Sequence, residues 1–139
     1  FSELLIMLKQ VNIDIESALV FLPGVKLFFN LDNAVIIDIA KQMSTHRYEA
    51  GEHLISKGRA GEYMLVIRQG KVLVSLEDSD IELVKGEVVG EISLLSGTPS
   101  KADVVAQSEV EALALYRDDF QALMAKHTSL AKVMTDLMK

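Results

Sequence analysis

The sequence predicts an α+β domain: an antiparallel jelly-roll barrel, a β-roll of the double-stranded β-helix type, flanked by N- and C-terminal helices. Three observations lead there. Helical periodicity occupies both ends of the chain while short strands fill the middle. Gly51, Gly58, Gly61, Gly70 and Gly86 punctuate those strands at turn-like intervals. The 139 residues, half of them hydrophobic, suffice for one well-filled core.

The elements follow in order. Leu4, Leu5, Leu8 and Val11 recur at helical spacing, and 14–22 form a second short apolar-faced piece that Pro23-Gly24 stops. Asp32 is placed to cap a third helix, in which Val35, Ile36, Ile39, Ala40 and Met43 make one stripe for core packing. After Arg47 the period changes. Tyr63 to Ile67 is a continuous buried-strand run, Gly70 a tight corner, and Val72, Val74 and Leu76 alternate in the next strand. "EDSD", Glu77 to Asp80, is a polar hairpin tip before a short strand Ile81 to Val84, and Val104-Val105 and Ala112 to Tyr116 complete the set. Asp118 or Asp119 is expected to cap a helix from Phe120 to Lys126. His127-Thr128-Ser129 breaks it, and Ser129 is expected to cap Leu130 to Lys139.

Composition narrows the function. The formal net charge is −6, which argues against a general nucleic-acid or membrane-surface footprint, so any anion site must be built locally. The absence of cysteine excludes disulfides, iron–sulfur clusters and thiol chemistry. No apolar run approaches a membrane span and no signal peptide is visible, so a cytoplasmic location is expected. The chain opens on Phe1 rather than Met, as a piece of something longer would.

One stretch invites chemistry. "GEISLLSGTPSKADVVA", Gly90 to Ala106, opens on Gly-Glu, runs through a short apolar turn, reaches a Thr-Pro corner and leaves as a strand. A glycine that lets a backbone approach closely, followed by a helix N-terminus, is the grammar of an anion-holding loop. Gly90 to Ser96 is expected to form a short helix over an open pocket.

With these elements placed, the sequence resembles the cyclic nucleotide-binding domain family, the β-roll module of protein kinase A regulatory subunits, the cAMP receptor protein and cyclic nucleotide-gated channels. "YEAGEHLISKGRAGEYMLVIRQGKVLV" carries the family's spaced glycines, and "KGEVVGEISLLSGTP" looks like its phosphate-binding cassette. The resemblance runs from Leu22 onward. It implies a nucleotide-binding-like domain over 22–139 and an N-terminal helical extension over 1–21 that joins the module to an upstream partner or domain.

The resemblance also implies roles. Glu91 matches the glutamate that accepts a hydrogen bond from the ribose 2′-hydroxyl, which suits an acceptor-only carboxylate. Gly90 matches the glycine that lets the backbone close on the sugar. Ile92 and Ser93 match the short cassette helix, whose N–H groups face the cyclic phosphate. Ser100 falls where the family carries its phosphate-pairing arginine, and Lys101 matches a small residue whose backbone N–H faces the phosphate. Here the chain departs from the pattern. A guanidinium meets a phosphate with two parallel hydrogen bonds, whereas serine offers one neutral donor. If the segment is extended, Lys101 aims away from the place Ser100 occupies. Lys101 and Arg59 then read as solvated surface charges.

Other chemistries lack their residues. A cupin-type metal site needs a His cluster, and the three histidines, His46, His53 and His127, form no His-x-His. His53 reads as a surface strand residue, and no methionine is singled out as a haem ligand. No nucleophile–base pair is discernible, so the domain is expected to be no enzyme and to need no cofactor. Leu130 to Lys139 is neither basic nor followed by a recognition helix, so no DNA binding is expected of this chain.

Two classes of function follow. One is a regulatory module that binds a cyclic mononucleotide, cAMP or cGMP, and transmits binding through its helices. The other is a degenerate nucleotide-binding fold serving protein interaction or dimerisation. Leu130, Val133, Met134 and Leu137 suit a helix packed on the barrel or on a second copy, so a homodimer is an expected form.

Overall fold

The computed structural model describes residues 17–137. The expected helix on Leu4, Leu5, Leu8 and Val11, residues 14–16 of the second piece, and the last two residues lie outside that range. Residues 17–21 are helical and pass into two 3₁₀ turns, Leu22–Gly24 and Lys26–Phe28. Then follow α1 (Asn33–Gln42), β1 (Ser44–Tyr48), β2 (His53–Ile55), β3 (Tyr63–Gln69), β4 (Val72–Ser75), β5 (Asp80–Leu83) and β6 (Val88–Val89). The chain continues through α2 (Glu91–Ser96), β7 (Asp103–Ala106), β8 (Val110–Tyr116), α3 (Arg117–Lys126) and α4 (Thr128–Leu137).

The strands form two four-stranded sheets, ordered β1-β8-β3-β6 and β2-β7-β4-β5, with every pairing antiparallel. The two central strands of the first sheet, β8 and β3, are buried on both faces. Along β3, Leu65 and Ile67 face the interior of the roll with Leu54, Val72, Val104 and Ala112, while Met64 and Val66 face the helices. This explains the unbroken apolar run Tyr63 to Ile67, since a strand covered on both faces has no solvent side to alternate with. On the helix side, Phe28, Ile39, Phe120, Leu130 and Met134 are at most 1 % exposed and pack with Ala18 and Leu22 into one cluster. At about 25 cal/mol per Å² of apolar surface, this burial is the main force holding the helices on the roll.

Several helix starts differ from the sequence-based expectation. Asp32 occupies the N-cap position of α1 but makes no side-chain capping bond. Tyr116 sits at the N-cap of α3, which places Asp118 and Asp119 inside its first turn, where they complement the helix dipole instead of capping it. α4 begins at Thr128, so Ser129 lies within it. Three short strands carry little hydrophobic pattern. β1 reads Ser-Thr-His-Arg-Tyr and is mostly exposed, β2 has three residues and β6 two. Their neighbours recruit them: β1 pairs all five residues with β8.

Candidate functional site

The cassette residues meet at the mouth of the roll. Gly90 has φ +85°, and a Cβ there would stand 2.8 Å from the carbonyl oxygen of Tyr63 and 3.0 Å from Cδ1 of Ile55. Only glycine combines that left-handed backbone with so close an approach to β3. Helix α2 starts directly after it, Leu94 N–H donating to Gly90 O at 3.1 Å. Leu94 is its buried anchor, in the cluster beneath the helices, which leaves Glu91, Ile92 and Ser93 toward the opening.

A cavity of about 590 Å³ lies between α2 and the sheet of β4 and β5. Val74, Leu76, Ile81 and Leu83 form an apolar wall opposite the polar cassette residues, and Gly90, Glu91, Ile92, Ser93, Ser100 and Lys101 all contribute to its lining. The partial exposure of Leu76 and Ile81 at the roll surface thus has a place: they edge an opening of ligand size. A smaller cavity of about 160 Å³ adjoins it, lined by Tyr63, Gly61 and Arg59, and shares Ile55, Gly90, Ser93 and Ser100 with the larger one.

Burial pushes the Glu91 carboxyl above the ordinary glutamate range, opposed by a hydrogen bond from its own backbone N–H. A half-buried carboxylate with no cation bonded to it among the described residues is set up for a hydroxyl donor.

Ser100 is committed elsewhere. Its Oγ donates to Ala102 O at 2.8 Å and lies 3.3 Å from Ala102 N, a local turn of side chain onto backbone. That turn breaks the extended geometry, so the expectation that Lys101 points away from the Ser100 side does not hold. Both residues border the same cavity. Arg59, expected as a solvated surface charge, is exposed and also borders the small cavity. The sequence offers no signal for this, because a lone arginine in a glycine-rich loop has no periodicity to place it.

The loop bearing Arg59 is tied to the cassette. Gly58 N–H donates to Ser100 O at 2.8 Å, and Ser100 N–H donates to Arg59 O at 2.9 Å. A Cβ on Gly61 would stand 2.7 Å from the Ser93 carbonyl carbon, so loop and helix touch backbone to backbone. On its other side, Arg117 at the start of α3 donates through Nη2 to Gly61 O, and its own N–H donates to Glu62 O at 2.9 Å. The Tyr63 hydroxyl donates to Leu54 O at 2.8 Å and closes the back wall.

A family model described as the cyclic nucleotide-binding domain matches residues 45–127. The chain belongs to the cyclic nucleotide-binding domain family. It resembles a cyclic nucleotide-gated potassium channel of Rhizobium etli, with 36 % identity over 111 residues, covering 80 % of this chain and 31 % of the channel. Among solved structures it resembles the regulatory subunit of a cAMP-independent protein kinase A from Trypanosoma brucei. That likeness has a TM-score of 0.79 and 27 % identity, covering 92 % of this chain and 45 % of that one. A triple mutant of that subunit bound to cAMP in the A site matches with a TM-score of 0.76 and 28 % identity, over 88 % and 47 % of the two chains. The Trypanosoma cruzi counterpart bound to guanosine matches with a TM-score of 0.75 and 26 % identity, over 83 % and 43 %. The chain thus spans under half the length of these relatives.

This cyclic nucleotide-binding domain is an α+β module with the family's β-roll, a regulatory domain of the kind found in kinase regulatory subunits and channels. Among the described residues no group of three or more His, Cys, Asp or Glu could hold a metal ion, and no helix is long and apolar enough to cross a membrane.

Proposed function

We propose that the domain binds a cyclic mononucleotide in the 590 Å³ cavity, with affinity well below that of a site carrying the cassette arginine. One observation carries this: Glu91 faces the cavity beside the left-handed Gly90, while the neutral Ser100 is hydrogen-bonded to its own backbone. Glu91 would accept from the ribose, the backbone at Gly90 would close on the sugar, and the cassette around Ile92 and Ser93 would cradle the phosphate. Ser100 and Lys101 would border it. Loss of a desolvated charge-assisted contact costs about 2–5 kcal/mol, which puts the dissociation constant on the order of tens of micromolar or weaker.

Ligand binding would be transmitted from the cassette through the Gly61 loop and Arg117 into α3 and α4, a population shift read by a partner or a domain outside this chain. The domain carries out no turnover of its own in this reading, binds no DNA, and works in the cytoplasm. The N-terminal extension over 1–21 and the terminal helices would join it to an upstream domain or a second copy.

A second reading is favoured by Ser100 itself. A pocket with a ribose anchor and a weak phosphate contact suits an uncharged ribonucleoside, and the relative bound to guanosine supports it. The relative called cAMP-independent is bound to cAMP in a mutant with three substitutions, one of which puts an arginine in place of a threonine.

Calorimetric titration with cAMP, cGMP, adenosine and guanosine decides between them. Cyclic nucleotide binding in the tens of micromolar, tightened at least tenfold by Ser100→Arg and abolished by Glu91→Ala, is the expected result. Submicromolar binding that Ser100→Arg leaves unchanged would overturn the weak-phosphate reading. Nucleosides binding tighter than their cyclic phosphates would install the second.

A further inference from the structure

We propose that Arg59 supplies the cationic contact to the cyclic phosphate, reaching in from the neighbouring loop in place of an arginine in the cassette. This rests on the reading of the cavity as a cyclic mononucleotide site.

Four arginines lie in the described chain, and three have side-chain partners. Arg47 and Arg68 pair with Glu111, at 3.1 and 3.7 Å, and Arg117 is bonded to Gly61 O. Arg59 has no side-chain hydrogen bond or ion pair among the described residues, and it is the one arginine of the four that borders the smaller cavity, which adjoins the proposed nucleotide cavity and shares Gly90, Ser93 and Ser100 with it. Its backbone lies directly against Ser100 through the 2.8 and 2.9 Å bonds of Gly58 and Arg59. A guanidinium on three methylenes spans one inter-strand spacing of about 5 Å and so reaches the space in front of the Ser100 side chain.

The backbone under this side chain is fixed on both flanks. Gly58 is bonded to Ser100, and Gly61 is pressed on Ser93 and held by Arg117. A free cation on a fixed loop is a preorganised arrangement, and the planar fork suits a phosphate better than the point charge of Lys101. The small cavity touches Arg59, Gly90, Ser93 and Ser100 together, whereas Lys101 borders only the larger one. Because the Arg59 side chain is exposed, it must give up water to pair, which fits partial rather than full compensation.

The test compares cAMP with adenosine on the whole chain by calorimetry, with circular dichroism as the fold control. Arg59→Ala is expected to weaken cAMP at least tenfold and to leave adenosine within twofold, while Lys101→Ala changes cAMP less than threefold. In a Ser100→Arg background Arg59→Ala should lose its effect. Equal weakening of cAMP and adenosine, no effect on cAMP, or the larger loss at Lys101 would each overturn the proposal. If the unsubstituted chain fails to bind cAMP but Ser100→Arg binds it, Arg59 is refuted and the cavity reading survives. If neither binds, the cavity reading itself falls.

Discussion

His127 Nε2 lies 2.7 Å from Oδ2 of Asp38, so the joint between α3 and α4 is tied to the helix that precedes the roll. Lys126 Nζ lies 2.9 Å from the same oxygen. The Lys126 side chain first, and His127 second, hold the Asp38 carboxyl below its ordinary value of 3.8. A carboxylate with a depressed folded-state value adds stability above the unfolded value, and that contribution disappears as pH falls through the folded one. Asp38→Asn should therefore lower the melting temperature at pH 7, with the gap to the parent closing below pH 3.8. Equal melting temperatures at pH 7 would show that the tie is idle.

Gly61→Ala is expected to push the loop off the cassette. The added carbon would meet Ser93 and Leu94 backbone atoms at 2.7 and 2.8 Å, and backbone cannot swing aside as a side-chain tip can. Overpacking of this kind costs about 1–3 kcal/mol. Urea unfolding measures it, and an unmoved midpoint would mean that the loop yields freely.

Glu91→Gln should raise stability and lower affinity together. Burial lifts the Glu91 carboxyl above its ordinary 4.5, so the folded state holds the proton more tightly than the unfolded chain. Ionised Glu91 therefore costs stability at neutral pH, a cost that fades as pH falls through the raised value toward 4.5. The variant should melt higher at pH 7, converge with the parent near pH 4, and bind cyclic nucleotide at least tenfold more weakly. Unsubstituted chain should lose affinity over the same acid range. Differential scanning calorimetry and a pH series of titrations supply the two readouts.

His46 makes the domain acid-sensitive by another route. Its Nδ1 lies 3.0 Å from the Tyr48 hydroxyl and its Nε2 2.9 Å from the Tyr116 hydroxyl, while Tyr63 and Tyr116 pack edge-on against the ring. A neutral imidazole donates at one nitrogen and accepts at the other. Burial lowers its affinity for a proton below the ordinary 6.5. The network's contribution is thus present above pH 6.5 and is lost as pH falls through the lowered folded value. Melting temperature should drop between pH 7 and pH 5, and His46→Gln should flatten that slope. A slope unchanged in the variant would assign it to other groups.

The double layer of helix and roll was legible because Tyr63 to Ile67 and the stripe on α1 are long, strongly patterned segments. The strand Ser44–Tyr48 was not, since its pairing with β8 rather than its own polarity makes it a strand. The cassette residues were legible as an ordered series around Gly90-Glu91. Their electrostatic surroundings were not. Whether Lys101 faces the cavity depends on one hydroxyl turning back to Ala102, and the place of Arg59 depends on hydrogen bonds across more than forty positions of chain. Tertiary pairing decides both.

The double cover over β3 and β8 has a consequence for how β3 finds its alignment. When one face of a strand is wet, a slip of one residue is penalised by polarity. Here both faces are dry, so polarity is silent and size must choose. Leu65 and Ile67 stand opposite the methyl groups of Ala114 and Ala112, while Met64 and Val66 stand opposite Leu115 and Leu113. A one-residue slip of β3 would crowd Leu65 and Ile67 against Leu113 and Leu115 on the helix side and leave Met64 and Val66 beside the alanines inside the roll. The alanines of β8 thus act as spacers that select the alignment by volume, and enlarging either of them would remove the information that keeps the two cores apart.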